Sequence, residues 1–152
     1  MPFYQVDHTC PLTVDERQSI ATSITDLHCT AFDVPPSFVH VNFTKQENKA
    51  DDGSYFLAAK SCANNSNCIT AQVRTSNTRS KADWDRLAED IETKWNEAVG
   101  VQDDKGEADD GSNESKKLTM VVFTPIVTVR EGGLAVPEPG KEAEWLEQQR
   151  LV

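Results

Sequence analysis

The chain has 152 residues, 38% of them hydrophobic and 26% charged, and a formal net charge of −10. A length of this order suits one domain that buries roughly 70% of its unfolded surface. The acidic balance argues against general nucleic-acid binding, which needs a basic face. No apolar run approaches the ~18 residues of a membrane span. The segment Met1–His8 has no basic region followed by an apolar stretch, so it does not read as a signal peptide, and a cytoplasmic location is the default expectation.

Pro2 to Val6 reads as a first strand. Thr13-Val14-Asp15-Glu16 is a capping box that starts a helix. Ile20, Ile24, Leu27 and Ala31 recur at helical spacing and predict its buried face. Pro35-Pro36 ends it. Residues 38–43 alternate as a strand does, with Val39, Val41 and Phe43 on one face. Residues 44–54 are polar and contain the turn signal Asp51-Asp52-Gly53-Ser54. Tyr55 to Ala59 has strand character, and Cys68 to Val73 has more of it. Ser80 caps a second helix with the stripe Trp84, Leu87, Ala88, Ile91, Trp95 and Ala98. Residues 101–117 hold six acidic residues, three basic residues and two glycines, which predicts a mobile surface insertion. Leu118 to Phe123 is a final β-prone run. The tail from 134 to 152 carries Pro137, Pro139 and Gly140, then a short helical stretch through Glu142, Trp145 and Leu146.

This order is two β-α-β units in tandem. It predicts a single α+β domain with a four-stranded sheet and two helices on one face. A right-handed crossover makes the strands within each unit parallel. The open sheet face and edges call for a partner, and the tail is a candidate oligomerisation element. The cysteines Cys10, Cys29, Cys62 and Cys68 form no CxxC pair, and no histidine sits at zinc spacing. They read as structural thiols, with a Cys62–Cys68 disulfide as the alternative. No metal and no cofactor are expected.

A few residues have chemistry to offer. Pro2 follows the initiator methionine, and removal of Met1 would leave a secondary amine able to act as acid or base. Arg74 and Arg79 flank the approach to the second helix, where arginine can grip a carboxylate. His28 lies at the edge of the first helix's apolar face. Glu131 stands before Gly132-Gly133. Taken singly, each has an ordinary structural reading.

Together these residues resemble the tautomerase superfamily, and within it the cis-3-chloroacrylic acid dehalogenase group. The resemblance is carried by Pro2 at the first strand, by Ile24-Thr25-Asp26-Leu27-His28, by Val41-Asn42-Phe43 and by Arg79-Ser80. It is carried most specifically by Pro137-Glu138-Pro139-Gly140 with Glu142, Glu144 and Trp145. It implies a homotrimer and a pocket around the amino-terminal proline. By position, Pro2 would be the acid or base and Glu131 the water activator. His28 and Arg79, with Arg74, would bind a substrate carboxylate. Arg74 is two residues farther from Arg79 than the family spacing. Met120 stands where the family has a tyrosine, and methionine offers a water no useful hydrogen bond. The implied function is acid/base chemistry on a small unsaturated or 2-oxo carboxylate, by hydration, dehalogenation or keto-enol tautomerisation. The alternative is a catalytically vestigial binding member on the same scaffold.

Overall fold

The computed structural model describes residues 1–47, 53–101 and 113–150. β1 (Phe3–His8) is followed by α1 (Val14–Phe32), a 3-10 turn at Pro36–Phe38 and β2 (His40–Lys45). Two short strands, β3 (Phe56–Leu57) and β4 (Lys60–Ser61), precede β5 (Asn67–Val73), α2 (Lys81–Val99) and β6 (Leu118–Pro125). The chain closes with β7 (Arg130–Glu131), β8 (Leu134–Ala135) and α3 (Glu142–Arg150).

The central sheet has the order β2-β1-β5-β6. β1 pairs parallel with β2, β5 pairs parallel with β6, and the two units join through antiparallel β1 and β5. This is the tandem β-α-β arrangement expected from the element order. Both helices start where side-chain chemistry dictates. The Thr13 hydroxyl accepts from Glu16 N, and the Glu16 carboxylate accepts from Thr13 N. Ser80 and Asp83 form the same reciprocal pair. Each box satisfies amide donors that the first turn would otherwise leave unpaired.

Alternation in the strands puts Tyr4 and Val6 of β1 with Ile69, Ala71 and Val73 of β5 on the buried face. α1 and α2 cover that face and pack on each other. α2 contributes Leu87, Ile91, Trp95 and Val99, close to its predicted stripe. α1 departs from expectation: its buried residues are Ile20, Ile24, His28 and Phe32, while Leu27 is half-buried and Ala31 exposed. The reason is aromatic packing. The His28, Phe32 and Trp84 rings lie within 6.2 Å of one another, centre to centre, and pull the His28–Phe32 line of α1 inward.

Other expectations need correction. The segment from Tyr55 is not one strand but the β3–β4 hairpin, turned at Ala58 and Ala59 with positive φ. The four cysteines are free, so the Cys62–Cys68 disulfide is not formed. Residues 102–112 of the predicted insertion, and Asp51 and Asp52 of the predicted turn, lie outside the described residues. The end of that insertion is pinned: Asn67, fully buried, donates to the Ser115 and Lys117 carbonyls, and Trp95 Nε1 donates to the Lys116 carbonyl. The tail docks on its own chain, where Trp145 meets Phe38 edge to face at 5.9 Å. Among the described residues no helix is long and apolar enough to cross a membrane.

Candidate active site

The topology collects chain ends at one edge of the sheet. β1 and β2 begin there, while β5 and β6 run the other way and finish there. The His40 amide donates to the Pro2 carbonyl (3.1 Å), and the Ile126 amide donates to the Val73 carbonyl (2.8 Å). Pro2 is buried at this edge. Arg74 follows β5 directly. The chain after β6 turns back through the β7–β8 hairpin, where Gly132 and Gly133 take the positive φ values of 54° and 83° that a two-residue hairpin turn requires. That turn carries Glu131.

A cavity of about 260 Å³ opens here, lined by Met1, Phe3, His40, Gln72 and Glu131 among others. With Met1 in place, the amine at the chain start is held below its ordinary value of 8.0. Burial is the largest cause, and the charge of Arg74 is next. Glu131 and Glu142 oppose the shift, and Arg79 adds to it. The start of the chain thus lies in the electrostatic field of two arginines and two glutamates.

The two arginines differ in what is left for a ligand. Arg79 Nη1 donates to the Arg74 carbonyl at 2.9 Å, closing the loop between them. Its Nη2 lies 3.7 Å from Glu142 Oε1, and its guanidinium carbon stands 4.9 Å above the Phe32 ring centre. Both side chains of this ion pair are almost wholly buried. Burial lowers the Arg79 pKa while Glu142 raises it; the guanidinium stays charged. Arg74, by contrast, keeps a buried Nη1 with no hydrogen-bond partner among the described residues. It lines a second cavity of about 210 Å³ with Thr75, Ile126, Val136 and Glu138. Arg74 lies two residues outside the family spacing, and it is the arginine with an unused donor among the described residues.

His28 lies beneath the site. It is 1% exposed, and its Nδ1 is 2.7 Å from the Tyr4 hydroxyl. Burial, then Arg79 and the chain-start amine, lower its pKa to about 4. The ring is therefore neutral near pH 7. Burial pushes the Tyr4 phenol far above its usual range. With Tyr4 donating to Nδ1, the imidazole proton sits on Nε2.

Met120 is not brought to this edge. It pairs with Cys68, four positions along β5 from Gln72, the partner of Phe3. That is roughly 13 Å at strand rise. Met120 is also 48% exposed on the face the helices leave open. For Met120 to line such a site, it would have to be the site of a second copy.

In the sequence Glu142 belongs to the tail signature and carries no role of its own. It is 5% exposed, and its Oε2 accepts from the Gly140 amide at 2.7 Å. The signal available was its place two residues after a helix-preceding glycine.

A family model described as "Putative oxalocrotonate tautomerase enzyme" matches residues 1–150, and the chain belongs to that tautomerase family. Among solved structures it is similar to N1, a member of the cis-3-chloroacrylic acid dehalogenase family. The two are 26% identical with a TM-score of 0.68, over 97% of this chain and 94% of that one. It is similar also to native Ps01740, at 26% identity and a TM-score of 0.58, over 82% and 93% of the two chains. A fused 4-OT asymmetric trimer shares the fold at 14% identity and a TM-score of 0.61, over 88% and 94%. A search among curated proteins gives no match.

Proposed function

We propose that this chain, with Met1 removed, is an enzyme that uses the Pro2 nitrogen as acid or base on a small unsaturated or 2-oxo carboxylate. The observation that carries the reading is the position of the chain start: Pro2 is buried, and half-buried Met1 before it lines one cavity with Glu131 and lies in the field of Arg74 and Arg79. Burial and then Arg74 lower the pKa of the Met1 amine against the opposing Glu131 and Glu142; the same surroundings would favour a neutral Pro2 amine, which suits a base near neutral pH. Arg74, through its unused Nη1, is the principal grip on the substrate carboxylate. Arg79 holds the loop and contributes charge. The Nε2 proton of neutral His28 offers a further donor from below.

Two chemistries use these groups. In tautomerisation, neutral Pro2 takes the enol hydroxyl proton as the carbonyl forms, and returns a proton to carbon. In hydration, Glu131 takes a proton from water as its oxygen adds to the β-carbon, and the fraction of Pro2 that is protonated delivers a proton to the α-carbon; a lowered amine pKa makes this the less favoured of the two chemistries. With a β-halide, the adduct expels the halide, loses its hydroxyl proton to water and becomes a carbonyl. Arginine charge stabilises the electron density that builds on the substrate carboxylate in each case. A homotrimer of such subunits, located in the cytoplasm, is the assembly we propose.

The test is a screen of 2-oxo acids, acetylenic acids and halo-acrylates with untagged protein whose mass shows loss of Met1. Turnover that disappears in Pro2→Ala supports the reading. One observation favours the vestigial binding reading: Arg79 is already neutralised by an internal carboxylate. Retention of Met1 would support that alternative, since an amide nitrogen has no basicity.

A further inference from the structure

Glu142 is a buried acid that the chemistry above does not use. Its two oxygens have separate tasks. Oε2 accepts from Gly140 N at 2.7 Å, which fixes the turn entering α3, and Oε1 faces Arg79 Nη2 at 3.7 Å. The side chains of the ion pair are 7% and 6% exposed, so water screens the pair little. Arg79 in turn holds the carbonyl of Arg74, the residue with the unused guanidinium nitrogen.

The charges that surround the chain start can be set out by name. Arg74 and Arg79 are positive. Glu131 and Glu142 are negative, and both act on the chain-start amine. Glu138 lines the Arg74 cavity as a third carboxylate. Glu142 cancels Arg79 at close range. Arg130 also lines the chain-start cavity, but it is exposed to solvent and donates to the Gly133 carbonyl. Of Arg74 and Arg79, Arg74 is the one that keeps an unpartnered guanidinium nitrogen among the described residues.

We propose that Glu142 is a specificity-determining residue that, by neutralising Arg79, restricts the site to substrates with a single carboxylate. The inference rests on the reading of the Pro2 edge as a carboxylate site. A first carboxylate pairs with Arg74. A second one on the same small molecule meets the carboxylates of Glu131 and Glu138, while the charge of exposed Arg130 is screened by water and that of Arg79 is cancelled by Glu142.

The matched probes are propiolate and acetylenedicarboxylate, which differ by one carboxylate, compared by kcat/KM for hydration. Propionate and succinate binding by calorimetry gives a second readout that needs no turnover. The wild-type chain should favour propiolate and propionate at least tenfold. Glu142→Gln keeps the size and an oxygen for Gly140 N, and should lower that discrimination at least tenfold. Glu142→Asp keeps the charge and should retain most of it. Glu144→Gln, the same charge change at an exposed position of α3, should leave it in place. A merely structural role predicts the reverse order, with the isosteric Gln closer to wild type than the shorter Asp. Wild type that binds the dianion as well as the monoanion overturns the proposal, even if Glu142→Gln fails to fold. So does a Glu142→Gln chain with wild-type discrimination, and both leave the carboxylate site itself standing. A wild type that binds and turns over none of the four anions overturns the site reading and this inference with it.

Discussion

The Arg79 guanidinium and the Glu142 carboxylate lie 3.7 Å apart with both side chains nearly inaccessible to water. This pair joins the start of α2 to the start of α3, and so ties the carboxy-terminal tail to the edge where the chain begins. Removing one partner strands a buried charge. Glu142→Ala should therefore destabilise the chain by about 3 kcal/mol. Urea unfolding at fixed protein concentration measures this. A change below about 0.5 kcal/mol would mean that the pair contributes nothing to the fold.

Protonation of His28 gives a second expectation. Its folded pKa of about 4 lies below the ordinary 6.5, so between those values the unfolded chain binds a proton that the folded chain refuses. Stability is then fully present above pH 6.5 and falls as pH drops toward 4, by roughly 3 kcal/mol over the window. His28→Gln keeps an acceptor for the Tyr4 hydroxyl and cannot titrate. The pH 5–6.5 slope of unfolding free energy should flatten in that variant. An identical slope in both proteins would count against a buried neutral imidazole.

Asn67 is fully buried and its amide makes four bonds, accepting from Thr9 N and Cys10 N and donating to the Ser115 and Lys117 carbonyls. Asn67→Ala should cost about 3 kcal/mol, because these backbone groups lose their partner away from water. Asn67→Asp should also destabilise, since a carboxylate would face two carbonyl oxygens. Hydrogen exchange at residues 113–117 should rise in both variants. Unchanged protection there would show that the segment is held by other contacts.

Glu131→Gln separates the two proposed chemistries. Hydration needs a base for water and should fall at least about 100-fold. Tautomerisation needs only the Pro2 nitrogen and the arginines, and should stay within about threefold. Parallel assays with an acetylenic acid and an enol substrate decide it. Equal loss of both would make Glu131 a positioning residue for the whole site.

Much of the fold was legible because its signals are local. Thr13-Val14-Asp15-Glu16 and Ser80 marked helix starts, and the Leu87–Ile91–Trp95 spacing marked the buried face of α2. The buried line of α1 was misplaced because His28 and Phe32 are held inward by rings from β1 and α2, contacts that no local pattern encodes. The Ala58-Ala59 turn was missed because alanine carries no preference for positive φ. At the site, Pro2 stood out by following the initiator methionine and Arg79 by preceding the Ser80 helix start, while Glu131 stood out by its position before the tail signature. Glu142 stayed hidden because a glutamate reads as surface until its partner is known. Met120 looked like a site residue in a linear alignment, but the strand register carries it away from Pro2 within one chain.

The central claim is that the Pro2 nitrogen performs the proton transfer. The most direct measurement is kcat/KM for untagged, Met1-free wild type against Pro2→Ala, each verified by intact mass, on the best substrate from the screen. The account predicts a fall of at least about 100-fold, because the alanine amine differs in basicity and in the direction of its lone pair. A Pro2→Ala chain that keeps kcat/KM within a factor of about two, folded and free of Met1, would contradict it.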